Sequence, residues 1–517
     1  MVKKVVVSLL LTMVSGISVF AQFVDRPVLR DSIYSNILKE TRMLDIVLPG
    51  EYSSAQASKT AVLYVTDAQW NTVIASNIEH FLEIQYIPQH IIVGIDASPK
   101  GKDNLRFRDM TPTRGLNDQT PVEKGGSGGG EAFLDFITKE LMPYINQKYA
   151  NNGRNILFGG SLGGLFGMYA LLKQPQAFTG YLLADPSFWW NNYELQAMTR
   201  EKLGSFPAGE KYLFIAGRSG QPLIGMGHVR VDSSLTEKAP SNLHWKAVAY
   251  TDETHNSMIF RTIYDGLKYI YWGYLAAQDL RLIPSKGFLL KDKPFALPVM
   301  NDNFSDIYYT TDGSVPTKAS TPVTSDKIQV FAGTRLTLKA ICNQEEYSKS
   351  VTGDFPLSDV FPAVALPKSA RPGGLRYDYY LLKDSSDLAH AKPVSSGRAD
   401  SAFQLGKLTD PEKYICVLSG FINVSDSGYY ALVTNSWGAS KVYLGKQLVI
   451  DQADAGHPDY AAVIVPLAQG FYPIRVEHAL RKGEQKLELS YLSPKGIEHG
   501  ENPDRIPSQS LYATGIK

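Results

Sequence analysis

The sequence predicts a chain of two textures: a doubly wound, mostly parallel α/β sheet first, then two all-β modules. Three observations carry that prediction. Up to about residue 280, apolar runs of strand length alternate with amphipathic helical stretches, the pattern of strand–helix units packed in layers. Those apolar runs are continuous rather than alternating, as in strands covered on both faces. After residue 280 the helical patterns vanish, and short alternating strands separated by turn residues take their place. A chain of 517 residues is in any case too long for one core.

The elements follow in chain order. "MVKK" is a basic head, "VVVSLLLTMVSGISVF" an apolar run, and Val19 and Ala21 are small residues at the spacing of a cleavage site. Residues 1–21 are therefore expected to be a secretory signal peptide, with export to the periplasm or beyond and Gln22 as the new N-terminus. The apolar run is shorter than the ~20 residues of a spanning helix, and no later stretch qualifies. Residues 22–280 carry the α/β pattern. "TAVLYVTD", "HIIVGID", "NILFGGS", "GYLLADPS", "KYLFIAG" and "HWKAVAY" are the expected strands. In "GEAFLDFITKELMPYINQKY", Phe133, Phe136, Ile137, Leu141 and Ile145 share one helical face. The glycine-rich "EKGGSGGGEAF" is expected to be a flexible loop of the active site. It is not read as a phosphate cradle, since no Lys-Ser/Thr follows.

Residues 281–356 form an expected compact β-domain, with strands in "DIYYTTDGSVPT", "KIQVFAGTRLTLKAI" and "YSKSVTGDF". The proline-spaced "FPLSDVFPAVALP" opens the last segment, 357–517. Its strands "KYICVLSGFINV", "GYYALVTNS", "SKVYLGKQLVI", "AAVIVPL", "GFYPIRVEHAL" and "QKLELSYL" imply a β-sandwich. Lys plus Arg number 52 against 51 Asp plus Glu, so no global field draws the chain to nucleic acid. The two cysteines, Cys342 and Cys416, fall in different segments, so ordinary cores rather than a disulfide framework are expected to hold an exported protein.

The chemistry concentrates at Gly159-Gly160-Ser161-Leu162-Gly163-Gly164, a Gly-x-Ser-x-Gly turn between an apolar run and a helix. Such a turn holds its serine in a strained conformation with Oγ raised above the sheet, which small neighbours permit. The Leu162 N–H, opening the next helix, can then face a developing oxyanion. A serine hydroxyl needs a base. His255 follows the strand "HWKAVAY", at the C-terminal end expected of such a base; His244 opens that strand, and His228 lies in a separate loop.

At these residues the chain resembles the putative-esterase family of α/β-hydrolases, whose members include esterase D-like, enterochelin-type siderophore and feruloyl or acetyl-xylan esterases. The resemblance spans about residues 40–275 and rests on "RFRDMTPT", "GGSLGGLFGMYALLKQPQAF", "DPSFWW", "DETHNS" and "YDGLKYI". It implies Ser161 as nucleophile, His255 as base, and an oxyanion hole made by the Leu162 N–H and the loop near Ala68. One departure stands out. Many relatives carry the triad acid after the strand that here reads "KYLFIAG", yet "RSGQPLIGMG" follows, without a carboxylate before Asp232. Asp185 in "DPS", where many relatives have serine, is the expected replacement. Glu253 is the alternative, and a Ser–His dyad or a distant acid is the third possibility. Trp189, Trp190 and Arg108 are candidates for lining the substrate pocket, with core packing and a structural ion pair as the plainer readings.

Residues 284–355 resemble the fibronectin-like C-terminal module of chitobiases and hexosaminidases, through "IYYTTDGSVPTKASTPVT" and "VFAGTRLTLKAI". Residues 370–517 resemble the sandwich module named for anthrax protective antigen, through "GFINVSDSGYYALVTNS" and "GFYPIRVEHAL". The place where sugar-binding members carry adjacent acids reads "NSWGAS", which leaves Trp437 as the stacking candidate. The resulting expectation is an exported serine carboxylic-ester hydrolase without cofactor or metal. Feruloyl or acetyl esters on a glycan are the leading substrate, a siderophore ester is the alternative, and an inactive glycan-binding protein is a third reading.

Overall fold

The computed structural model describes residues 26–50, 52, 53, 60–299, 301, 306–381, 388, 390–399, 414–453, 459–480 and 487–515. The expected signal peptide lies outside these residues. The chain divides into two compact units, one running to Leu275 and including Cys342–Glu346, the other made of 276–341 and 347–517.

The first unit is an α/β-hydrolase-like fold built on one sheet of eight strands. They are β1 (Leu29–Ser35), β2 (Glu40–Val47), β3 (Ala61–Thr66), β4 (His90–Ile95), β5 (Asn155–Gly160), β6 (Gly180–Ala184), β7 (Lys211–Arg218) and β8 (Leu243–Tyr250). Their order is β1-β2-β4-β3-β5-β6-β7-β8. Within the run β4-β3-β5-β6-β7-β8 every pair is parallel, while β2 is antiparallel to both of its neighbours, β1 and β4. All six apolar runs read from the sequence are strands of this sheet. The pair β1–β2 was not among them. β3, β4, β5 and β6 are buried at every residue, which is why they read as unbroken apolar runs. β8 has a neighbour on one side only and is partly exposed along most of its length.

Helices α1 (Ala68–Glu83), α2 (Arg106–Met110), α3 (Gly130–Phe136), α4 (Met142–Lys148), α5 (Leu162–Lys173), α6 (Trp190–Lys202), α7 (Gln221–Gly225), α8 (His228–Lys238) and α9 (Met258–Ile270) connect and cover the strands. The helix read over "GEAFLDFITKELMPYINQKY" is present with one difference: Ile137–Leu141 is a π-helical stretch between α3 and α4. All five residues assigned to its apolar face are buried, so the wider turn leaves the stripe facing the core.

A buried ion cluster ties α2 to β2. Arg42, fully buried, meets Glu40 at 2.8 Å and Asp109 at 2.5 Å, and its guanidinium lies 5.3 Å from the Phe133 ring centre. Arg108 closes the square, donating to Glu40 and, through Nε at 2.7 Å, to Asp109. Two cations face two carboxylates with almost no water, so each charge depends on the others. The cluster fixes the segment that delivers Arg106 to the strand ends.

The second unit is all β. Its two main sheets enclose a core that includes Leu418, Leu432, Val465, Val476 and Leu489. The two-residue strand Lys286–Gly287 pairs in parallel with Lys349–Phe355 on one side and Asp459–Leu467 on the other. One sheet therefore runs through both of the segments that the sequence divides at 356/357. Neither cysteine is in a disulfide, and both are buried. Among the described residues no helix is long and apolar enough to cross a membrane.

Arg42→Met should lower the unfolding transition of the first unit strongly, because it leaves two buried carboxylates with one buried cation, Arg108. A loss of about 3–5 kcal/mol is expected for a broken buried pair. Lys102→Met, which removes a half-exposed partner of the same Glu40, should cost about 0–1 kcal/mol. Differential scanning calorimetry of the full chain reads both.

Candidate active site

Three neighbouring strands end in the same unusual way. Asp67, Ser161 and Asp185 each follow directly on β3, β5 and β6, and each has a positive φ, at 55°, 58° and 40°. Residues with a Cβ rarely adopt that region, so the C-terminal edge of the sheet is strained at three adjacent points. The glycines of the serine turn serve close approach. A Cβ on Gly163 would stand 2.5 Å from Thr66 Oγ1, and one on Gly164 would stand 2.8 Å from Pro186 Cβ. Helix α5 can therefore start wedged between the end of β3 and the loop after β6. Leu162 and Ala68 are the first residues of α5 and α1, positions whose N–H groups have no partner within the helix.

Arg106 bridges the first two of these ends. Its Nε donates to both Asp67 carboxylate oxygens at 2.9 Å, and Nη2 donates to the Gly160 carbonyl at 3.0 Å. Arg108, the arginine expected at the pocket, is instead only 5% exposed and saturated by Glu40 and Asp109. The helical spacing of α2 turns Arg106 toward the strand ends and Arg108 into the ion cluster.

The loop after β6 wraps the serine. Ser161 N donates to Ala184 O at 2.8 Å, Ser187 N donates to Ser161 O at 3.0 Å, and the two hydroxyls meet at 3.1 Å. Among the described residues the Ser161 hydroxyl is hydrogen-bonded to Ser187 and not to His255. His255 Nδ1 lies 2.6 Å from Asp185 Oδ2. Glu253 is engaged elsewhere, accepting from Ser257 Oγ at 2.6 Å and lying 3.5 Å from Arg261 Nε. Of the two acids read from the sequence, the structure therefore places Asp185 on the imidazole and Glu253 away from it.

Asp185 is fully buried and has a second strong partner, Arg218, whose Nε donates to the same Oδ2 at 2.6 Å. Burial acts to raise the Asp185 carboxyl, but the hydrogen bonds from His255 and Arg218 outweigh it and hold the group below its ordinary value. His228 lies on the other oxygen, with Nε2 3.6 Å from Oδ1, and burial pushes its imidazole down to about 4. It packs directly on Gly217, where a Cβ would come within 2.6 Å of the ring. The sequence reading named neither Arg218 nor Ser187 as a site residue. A usable signal was present for the first: a buried acid at the tip of β6 calls for a cation, and Arg218 ends the next strand.

Beside the serine loop lies an open cavity of about 630 Å³, with Phe107, Leu116, Trp189, Trp190, Asn191 and Asp118 among its lining residues. Two residues separate its wall at Trp190 from Ser187. Trp189 is 42% exposed, whereas Trp190 is buried and donates its indole N–H to Thr113 O at 3.2 Å. The glycine-rich segment borders this cavity through Gly125 and Gly126. It is pinned rather than loose: Gly128 N donates to Thr111 Oγ1, Gly129 N to Arg108 O and Gly130 N to Thr111 O. Ser127 donates twice to Asp118, which its hydroxyl above all holds down at about 2. Among the described residues no three His, Cys, Asp or Glu side chains are gathered as a metal site would need.

Residues 35–227 match the family model described as "Putative esterase", residues 298–352 that of the chitobiase/β-hexosaminidase C-terminal domain, and residues 399–505 that of the PA14 domain. A siderophore triacetylfusarinine C esterase of Aspergillus fumigatus is 34% identical over 135 residues, 25% of this chain and 41% of that protein. A siderophore enterobactin esterase of Emericella nidulans is 42% identical over 76 residues, 14% of this chain and 25% of that protein. The chain thus spans less than half the length of these curated relatives. The crystal structure of an IroE-like serine hydrolase from Shewanella oneidensis aligns with a TM-score of 0.42 and 31% identity, covering 48% of this chain and 81% of that one. The first unit is therefore similar to the esterase family just described, and the all-β unit that follows is similar, in turn, to a chitobiase-type C-terminal domain and a PA14 domain.

Proposed function

We propose that the protein is an exported serine ester hydrolase working through an acyl-enzyme on Ser161, with His255 as base and Asp185 as the acid that orients it. The observation that carries this reading is the 2.6 Å contact of His255 Nδ1 with a buried carboxylate one strand away from the strained serine turn. A proton on Nδ1 leaves Nε2 free to accept one. The Ser161 hydroxyl leaves Ser187, gives its proton to Nε2 and attacks the ester carbonyl. The Leu162 and Ala68 N–H groups receive the oxyanion, each at the positive end of a helix. His255 then protonates the departing alcohol, and water repeats the sequence to release the acid.

For the substrate we favour a siderophore-type ester, which reverses the order expected from the sequence. The two curated relatives described above are named as siderophore esterases, and the cavity with the exposed face of Trp189 suits a planar acyl or aryl group. A glycan acyl ester remains the second reading, because residues 298–352 resemble a domain of chitobiases and β-hexosaminidases. A panel of a triscatecholate lactone, a hydroxamate ester siderophore, and feruloylated and acetylated oligosaccharides separates the two. The lactone should be cleaved at least tenfold more efficiently than either oligosaccharide; the opposite ranking would install the glycan reading.

Ser161→Ala should abolish both turnover and labelling by a fluorophosphonate, with mass spectrometry finding the label on Ser161 in the parent protein. Full turnover by that variant would end the esterase reading.

Asp185→Asn should lower kcat by roughly 10²–10⁴-fold with little change in KM, because an amide favours the wrong imidazole tautomer. Glu253→Gln should stay within a few-fold of the parent. Steady-state kinetics on any substrate from the panel checks both.

A further inference from the structure

We propose that Arg218 is a positioning residue that fixes the Asp185 carboxylate against His255 and sets the pH at which His255 becomes an available base. The inference rests on the assignment of Ser161, His255 and Asp185 above.

The register of the sheet places Arg218 between the acid and the base. Ala184 pairs with Ala216, and Asp185 N donates to Ala216 O at 2.7 Å, so the acid leaves β6 beside the last residues of β7. Arg218 ends β7 and pairs with Tyr250, the last residue of β8; Ser219 N then donates to Tyr250 O at 2.9 Å. The loop that carries His255 begins at the next residue. The Arg218 side chain thus stands at the one strand end that adjoins both partners. Its Nε and His255 Nδ1 share a single oxygen, Asp185 Oδ2, at 2.6 Å each. The contacts to Oδ1 are longer, 3.5 Å from the Arg218 backbone N–H and 3.6 Å from His228 Nε2.

This arrangement has a defined electrostatic consequence. A carboxylate paired with His255 alone would stabilise the imidazolium and keep the base protonated to higher pH. Arg218 draws on the same oxygen and carries the same sign of charge as an imidazolium, so its removal leaves the carboxylate to His255 alone. The other ionisable groups on the surrounding elements do not take over this role. His228, from α8, is neutral through its depressed value, and Glu253, in the His255 loop, is engaged with Ser257 and with Arg261 of α9. Asp252 is exposed in that loop, and Asp265 of α9 accepts from Tyr250.

The test compares Arg218→Gln and Arg218→Lys in the full chain, with far-UV circular dichroism to check folding and 1-naphthyl butyrate as the probe ester. In Arg218→Gln the acid limb of the kcat/KM profile should move up by about one pH unit, the size of shift a neighbouring charge produces. Below the limb, activity should drop about tenfold, with KM within a few-fold of the parent. Arg218→Lys keeps the charge but loses the rigid fork, so the limb should stay near the parent's while kcat falls. A ¹⁵N titration of His255 in the Ser161→Ala background, with and without Arg218→Gln, should show the same upward shift without any turnover. A limb and a titration that stay in place, or move to lower pH, overturn the role of Arg218. If Asp185→Asn still lowers kcat in that case, the functional reading survives. Should Ser161→Ala and Asp185→Asn both leave turnover intact, that reading fails instead.

Discussion

A carboxylate with no exposed surface is tolerable only when donors replace the water it has lost, and Asp185 is such a group. Its donors come from two different places in the chain, the end of β7 and the loop after β8. Because those strands lie parallel and adjacent, their C-terminal ends arrive at the same edge of the sheet without any long excursion. The geometry of the site is therefore a property of strand order. A carboxylate at the end of β6 lies at that edge and so reaches the imidazole of His255. It also leaves the end of β7 free for a residue of opposite charge, and Arg218 occupies it.

Strain is distributed along the same edge. Positive φ at Asp67, Ser161 and Asp185 means that three chain reversals are sharp enough for α1 and α5 to begin immediately after their strands. Each such residue costs on the order of 1–3 kcal/mol, which the surrounding packing must offset. Arg106 joins the first two reversals, and the Ser161 N–H bond to Ala184 O joins the last two. The buried cluster of Arg42, Glu40, Arg108 and Asp109 serves the site at one remove, by fixing the helix from which Arg106 projects.

Much of this was legible in the sequence, and the exceptions have physical causes. The runs of β3 to β7 were legible because burial on both faces removes the polar alternation that would blur them, whereas β8 is partly exposed. β1 and β2 were missed because antiparallel strands near a sheet edge carry charge, as in "ETRMLD", and lose the apolar signature. Ser161 and His255 were singled out by turn chemistry and chain order, and Asp185 by an absence paired with a substitution; the structure brings Asp185 and His255 into contact. Arg108 was misplaced toward the pocket because "RFRDM" does not show which arginine faces inward; a half-turn of helix decides it. The glycine-rich stretch looked mobile from composition, yet its backbone N–H groups find acceptors in Thr111 and Arg108 that are distant in sequence.

The short strand Lys286–Gly287 gives the all-β unit a different character from a string of beads. With only two residues it stitches a ladder that would otherwise stop at Lys349–Phe355 on one side and at Asp459–Leu467 on the other. A cut between the two modules would break that join and leave the facing strand edges without their shared partner, the kind of edge on which foreign strands nucleate. Recombination that swaps one module alone would meet the same penalty. Lineages that keep this stitch should therefore gain, lose and transplant the pair as a single cassette.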